Sequence, residues 1–184
     1  MLPVSATAKI TMAMNIAPAV LAARLANVRV LVVDDDPSSR KLVRILLTAI
    51  GVQKIHDAPD GAAGLEAVCR LNPDVIILDW EMPGMKGPAF MRRVRAPHRF
   101  PYPDTPVIML TGHGEREKVT EAIDVGVNEF LLKPVSSKAL LERMIAVLFM
   151  PRPMVIEPDY YGPARRKTVQ QIKSATEQPS QFFI

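Results

Sequence analysis

Cysteine is almost missing from this chain: Cys69 is the single one, so no internal disulfide framework is available and a reducing, cytoplasmic setting is expected. Long apolar runs are missing too. No stretch approaches the roughly 18 uninterrupted apolar residues that a membrane-spanning helix needs, so no membrane span is expected. Charge of one sign is also scarce. Against 23 basic residues stand 19 acidic ones, and a net +4 is too weak to argue for a direct nucleic-acid partner. The three histidines, His56, His98 and His113, share no metal-ligand spacing, which argues against zinc.

A cleaved leader is not expected either. The first 27 residues are rich in apolar and small side chains, but Lys9 sits in their middle, Asn15 and Pro18 interrupt them, and Arg24 follows the most apolar piece. A secretory signal shows early positive charge and then an unbroken apolar core. Residues 1–27 therefore read as an arm, poorly ordered or with a short helix over Pro18–Ala26, and Met12 and Met14 leave the start position open.

What is present suits one ordinary domain and a remainder: 184 residues, 48% hydrophobic and 23% charged. Between residues 28 and 150 two patterns alternate. Short apolar runs stand at Val30–Val33, Val75–Leu78, Val107–Leu110 and Phe130–Leu132, with a weaker one near Lys54–His56. Between them lie helical spacings: Leu42, Leu46 and Ile50; Leu65, Val68 and Leu71; Val119, Ile123 and Val127; Leu140, Met144 and Leu148. Runs so short and so uniformly apolar fit parallel strands buried on both faces. Their alternation with helices predicts an open α/β sheet covered on both sides.

Punctuation agrees. Asp36-Pro37 predicts a capped helix start, and Gly51 a helix end. Residues 95–106, "RAPHRFPYPDTP", hold four prolines and predict an extended surface loop. Trp80 is expected to be half-buried packing, and Met82, Met85, Met91 and Met109 core and surface filler. No internal repeat is visible. Residues 151–184 show no alternating apolar pattern and are too few for a core of their own, so they read as a proline-rich basic extension with one short helix over about 164–175.

The chemistry lies where the strands end. In an open α/β sheet, function gathers beyond the carboxyl ends of the strands. "VLVVDDDP" runs four apolar residues into Asp34, Asp35 and Asp36; the third run ends at Asp79, the fourth at Thr111 and the fifth at Lys133. Two like charges at about 4 Å repel by roughly 4 kcal/mol in a partly shielded site, so the crowded acids call for a cation. Mg2+ takes oxygen ligands, one or two carboxylates with waters. A carboxylate beside it is a candidate nucleophile toward phosphorus, while an ammonium and a hydroxyl neutralise the phosphoryl oxygens.

Taken together, "VLVVDDDP", "DVIILDWEMPGMKG", "PVIMLTGHG" and "NEFLLKPV" resemble the receiver domain of two-component response regulators, of the stand-alone chemotaxis-regulator type. The resemblance covers residues 28–150. It implies a flavodoxin-like, doubly wound five-stranded parallel sheet in the order 2-1-3-4-5. It implies Asp79 as phosphoacceptor, Asp34 and Asp35 as Mg2+ ligands with Asp79 and the Glu81 backbone carbonyl, Thr111 as switch hydroxyl, and Lys133 as the phosphoryl-contacting ammonium. Phe130 falls at the second switch position, and Glu81 and His113 flank the pocket. The implied partners are a histidine kinase or histidine phosphotransfer protein and a downstream protein target.

Other readings remain beside it. Asp36 is a plain helix cap. Asp34-x-Asp36-x-Ser38, Thr111 and Lys133 also resemble a haloacid-dehalogenase-type phosphatase, but that family needs a late pair of acids at a strand end. Only Glu157 and Asp159 follow Lys133, in the proline-rich tail. A receiver-shaped scaffold that is never phosphorylated is the third. In the tail, "YYGPARRK" is either a solvated basic extension or a docking segment in which Tyr160 and Tyr161 anchor while Arg165, Arg166 and Lys167 meet an acidic partner.

Overall fold

The computed structural model describes residues 17–112 and 116–165. Five strands, β1 (Arg29–Val33), β2 (Lys54–Ala58), β3 (Val75–Asp79), β4 (Val107–Thr111) and β5 (Glu129–Leu132), form one parallel sheet in the order β2-β1-β3-β4-β5. Around them run α1 (Pro18–Asn27), α2 (Pro37–Ala49), α3 (Gly61–Leu71), α4 (Gly87–Val94), α5 (Arg116–Asp124) and α6 (Ser137–Phe149). The expected fold class is the observed one.

Strand alternation sorts the core into two layers. Val30, Val32, Val75, Ile77, Ile108 and Leu110 face one side and pack with Leu21 and Leu25 of α1, Val43 and Leu47 of α2, and Leu140 and Met144 of α6. Leu31, Val33, Ile76, Leu78, Val107 and Met109 face the other and pack with Val68 of α3 and Phe90, Met91 and Val94 of α4. β3 and β4 are buried along their whole length, which is why they read as unbroken apolar runs. Each fully buried aliphatic side chain contributes about 1.5–3 kcal/mol. Trp80, expected half-buried, is only 4% exposed. Its N–H extends the ladder by donating to the Leu110 carbonyl, and its ring lies within the second layer.

Local signals place the turns at the rim. Asp36 caps α2, its carboxylate accepting from the N–H groups of Ser38 and Ser39, with Pro37 at the first position. Ser136 caps α6 the same way through Ala139 N–H. Residues 95–106 depart from an extended surface loop. Arg99 and Phe100 N–H groups donate to the Ala96 carbonyl, and the segment folds over Arg95, which is 7% exposed.

The extension after α6 departs further. Residues 154–163 form an antiparallel hairpin, β6 (Met154–Glu157) and β7 (Tyr160–Pro163), with Glu157 opposite Tyr160 across Pro158 and Asp159. Pro151, Pro153 and Pro158 lie outside the strands and Pro163 ends β7 opposite Met154, as an isolated two-stranded edge permits. Ala164 and Arg165 are not helical, and the rest of the expected 164–175 helix lies outside the described residues.

Candidate functional site

β1, β3, β4 and β5 deliver their carboxyl ends to one rim. Asp34 follows β1 and is 1% exposed; Asp79 ends β3 and is 6% exposed; Thr111 ends β4 and is 3% exposed. Lys133 follows β5 and reaches back across the rim. Its Nζ lies 2.5 Å from Asp79 Oδ1 and 3.0 Å from Asp34 Oδ2. Asp35 is exposed at the mouth, and ligand oxygens of Asp34, Asp35 and Asp79 all lie within 4.8 Å of one another. Three carboxylates thus face one ammonium, and the electrostatic balance leaves room for a divalent cation.

The carboxylates are held in place by their surroundings. Asp79 Oδ2 accepts from Glu81 N–H at 2.8 Å, which draws the β3–α4 turn under the acid. Gly87 lets α4 begin against that turn, since a Cβ there would fall 2.8 Å from the Asp79 carbonyl oxygen. Asp34 Oδ1 accepts from Asp36 N–H at 2.9 Å, and Oδ2 accepts from Ser39 Oγ at 2.5 Å. Arg40 Nη1 donates to the carbonyls of Asp34 at 2.6 Å and Asp35 at 3.1 Å, fixing the backbone of the acidic pair.

Burial raises the Asp79 carboxyl above its ordinary value; the contact with Lys133 opposes this, and the nearby Asp34 charge adds to it. Burial pulls Lys133 down, but its contacts with Asp79 and Asp34 outweigh that, and its ammonium is held above its ordinary value. At neutral pH the lysine stays charged. Glu81 points outward and pairs with Lys86 at 3.1 Å.

The family model described as "Response regulator receiver domain" matches residues 30–145. The chain belongs to the response regulator receiver family. Its curated relatives include the chemotaxis protein CheY-3 of Vibrio cholerae, 33% identical over 118 residues, covering 64% of this chain and 89% of that protein. The chemotaxis protein CheY of Pseudomonas aeruginosa is 34% identical over 116 residues, covering 63% and 92%. Among solved structures, Vibrio cholerae CheY4 superposes with a TM-score of 0.60 at 36% identity, over 66% of this chain and 98% of that one.

The receiver thus brings together Asp34, Asp35, Asp79, Thr111 and Lys133, with Glu81 in the same turn. Phe130 lies on β5 opposite Met109 of β4, half-buried against the second core layer. His113 and Arg166 lie outside the described residues. Ser39 and Arg40 were not anticipated from the sequence; their only signal is position, one helical turn after the acidic pair. Tyr160, Tyr161 and Arg165 sit elsewhere and face the chain's own domain. Tyr160 is 7% exposed with its hydroxyl donating to the Pro163 carbonyl at 2.7 Å, Tyr161 hydroxyl bonds Asp104, and Arg165 pairs with Asp124 at 3.3 Å. The late acids of the phosphatase reading, Glu157 and Asp159, are exposed on this hairpin or its turn.

Proposed function

We propose that this receiver is a single-domain response regulator that accepts a phosphoryl group on Asp79 and thereby changes which protein it binds. The observation that carries the reading is the meeting of three carboxylates within 4.8 Å, with Lys133 spanning Asp34 and Asp79. Asp34, Asp35, Asp79 and the Glu81 carbonyl would hold Mg2+, for which an all-oxygen donor set is suited. When bound, Mg2+ neutralises charge on the transferring phosphoryl oxygens.

The chain's own groups do the rest. A carboxylate oxygen of Asp79 forms the new O–P bond as the bond from phosphorus to the donor's imidazole nitrogen breaks, and the electron pair leaves with that nitrogen. Burial keeps the developing charge out of bulk water, where fixed donors act strongly. Lys133 supplies one such donor, and the Thr111 hydroxyl at the end of β4 another. Engagement of Thr111 frees space beneath it for Phe130, so the face formed by α5, β5 and α6 alters its shape. The donor is a histidine kinase or histidine phosphotransfer protein. Leu42 and Ile45, exposed on α2 just beyond the acidic pair, offer it an apolar footing. The setting is the cytoplasm, and the chain acts as a switch on its own carboxylate, without turning over a separate substrate.

Incubation with acetyl phosphate and Mg2+, read by intact-protein mass, tests this. Wild type gains one phosphoryl group and Asp79→Ala gains none; equal labelling of the two shows a different acceptor. Sustained hydrolysis of p-nitrophenyl phosphate that survives Asp79→Asn would favour the phosphatase reading instead.

A further inference from the structure

The β6–β7 hairpin docks at the opposite end of the sheet from the acidic rim, on a single stretch of chain. Tyr161 hydroxyl donates to the Asp104 carboxylate, Arg165 pairs with Asp124, and Arg152 donates to the Asn128 carbonyl. Backbones touch as well: a Cβ on Gly162 would fall 2.7 Å from Gly126 Cα, and one on Gly126 would fall 2.8 Å from the Tyr161 carbonyl oxygen. Residues 104–128 contain β4 and α5 and lead straight into β5. Those are the elements that carry Thr111, Phe130 and Lys133.

Asn128 ties this base together. Its N–H donates to the Val107 carbonyl at 3.0 Å, and its Oδ1 accepts from Val107 N–H at 2.9 Å and from Arg95 Nη2 at 2.8 Å. The starts of β4 and β5 are thus one unit, and the hairpin grips it through Arg152. Thr111 lies four residues up β4, about 13 Å away. A contact made through two glycines does not stretch, because a slide of a fraction of an ångström produces overlap or a gap.

We propose that the hairpin is a strap that prefers the arrangement in which Lys133 holds Asp79 and Asp34 directly, so that phosphorylation of Asp79 and release of the strap favour each other. This rests on the receiver function proposed above. Insertion of a phosphoryl group against Lys133 Nζ, now 2.5 Å from Asp79 Oδ1, displaces the end of β5, and Thr111 is drawn toward the new oxygens. β4 and β5 then shift against a strap that fits one position. By linkage, loosening the strap must raise the affinity of the rim for a phosphoryl group by the same factor.

Beryllium fluoride with Mg2+ serves as the phosphoryl probe, read by fluorescence of Trp80, the chain's one tryptophan, which adjoins Asp79 in sequence. Two full-length variants loosen the strap: Gly162→Ala, and the milder Tyr161→Phe/Arg165→Gln, which removes the half-exposed contacts to Asp104 and Asp124 and the stacking of Arg165 on the Tyr160 ring while leaving the backbone contact of the two glycines in place. Both are expected to bind beryllium fluoride about fivefold or more tightly than wild type, the lower range of ordinary coupling. In wild type, deuterium exchange at the Gly126 amide, which bonds the Ile123 carbonyl at 3.1 Å and is covered by Tyr161 and Gly162, should speed up when the probe is added. Unchanged or weakened affinity in Tyr161→Phe/Arg165→Gln overturns the strap, as does unaltered exchange in wild type. A wild type that gives no Trp80 response at all overturns the receiver function instead.

Discussion

The rim and the base of this sheet solve opposite electrostatic problems with one charged centre each. At the rim, Asp34, Asp35 and Asp79 meet a single ammonium, and the charge is left unbalanced. At the base, one guanidinium is surrounded by neutral acceptors: Arg95 Nε donates to the Gly126 carbonyl at 3.0 Å, Nη1 to the carbonyls of Pro103 and, at 2.9 Å, Thr105, and Nη2 to Asn128 Oδ1. Burial pushes that guanidinium down to about 10, with Asp104 opposing the shift, so it stays charged at neutral pH. The lesson is that a buried charge alone does not mark a ligand site. Arg95 has its donors matched by protein and holds structure, whereas the rim has surplus charge of one sign and calls for a ligand.

The sharpest way to test that contrast is to remove Arg95. Arg95→Ala leaves the Gly126 and Thr105 carbonyls without their side-chain partner and opens a cavity beneath the 95–106 segment and the hairpin. Each buried acceptor so stranded costs about 1–3 kcal/mol, so a loss of about 3 kcal/mol or more is expected in urea unfolding. Acetyl phosphate labelling of the protein that remains folded should persist, because the rim is untouched. A loss below about 1 kcal/mol would show that the base does not depend on its guanidinium.

The second test acts on the rim and has the opposite sign. Burial raises the folded Asp79 carboxyl above its unfolded value, with Asp34 adding to the effect. The folded state therefore binds that proton more tightly, and its advantage is full below the ordinary carboxyl range and lost as pH rises through the folded value. At neutral pH without divalent cations, ionised Asp79 destabilises the fold. Asp79→Asn is expected to melt higher than wild type at pH 7, with the gap closing as pH falls toward 4. Adding Mg2+ should stabilise wild type more than the variant. A lower melting temperature for Asp79→Asn at pH 7 would mean that Lys133 compensates the carboxylate fully.

How far each end was legible follows from the same contrast. The rim residues sit immediately after apolar runs, so strand periodicity and strand-end logic located Asp34, Asp35, Asp79, Thr111 and Lys133 together. Asp36-Pro37 announced α2 for the same reason, since a cap acts within a few residues. The base depends on contacts between distant segments. Arg95 reaches Gly126 and Asn128 more than 30 residues on, and nothing local distinguishes it from its neighbours Arg92 and Arg93. The hairpin was hidden because strands of four residues give too few alternations to register, and its prolines suggested irregular chain. Trp80 was misjudged for a related reason: the strand ladder continues past Asp79 through its N–H.

The smallest expected effect reaches the base from the hairpin side. Tyr161 hydroxyl donates to Asp104, and that bond first, with partial burial second, holds the phenol above its ordinary value. A raised folded value means that the stabilisation is fully present below about pH 10 and fades as pH climbs through the folded value. The contact is outward-facing, so Tyr161→Phe should cost only about 0.5–1 kcal/mol at pH 7–9. Above pH 10 the phenolate would face the Asp104 carboxylate, and the wild-type advantage should shrink and then reverse, while Tyr161→Phe shows no such turn. Urea unfolding of the two proteins across pH 7–11 measures the difference directly. No gap at any pH would show that Tyr161 holds the hairpin by its ring, with the hydroxyl adding nothing, whereas a constant gap would show that the base, unlike the rim, is insensitive to the charge placed upon it.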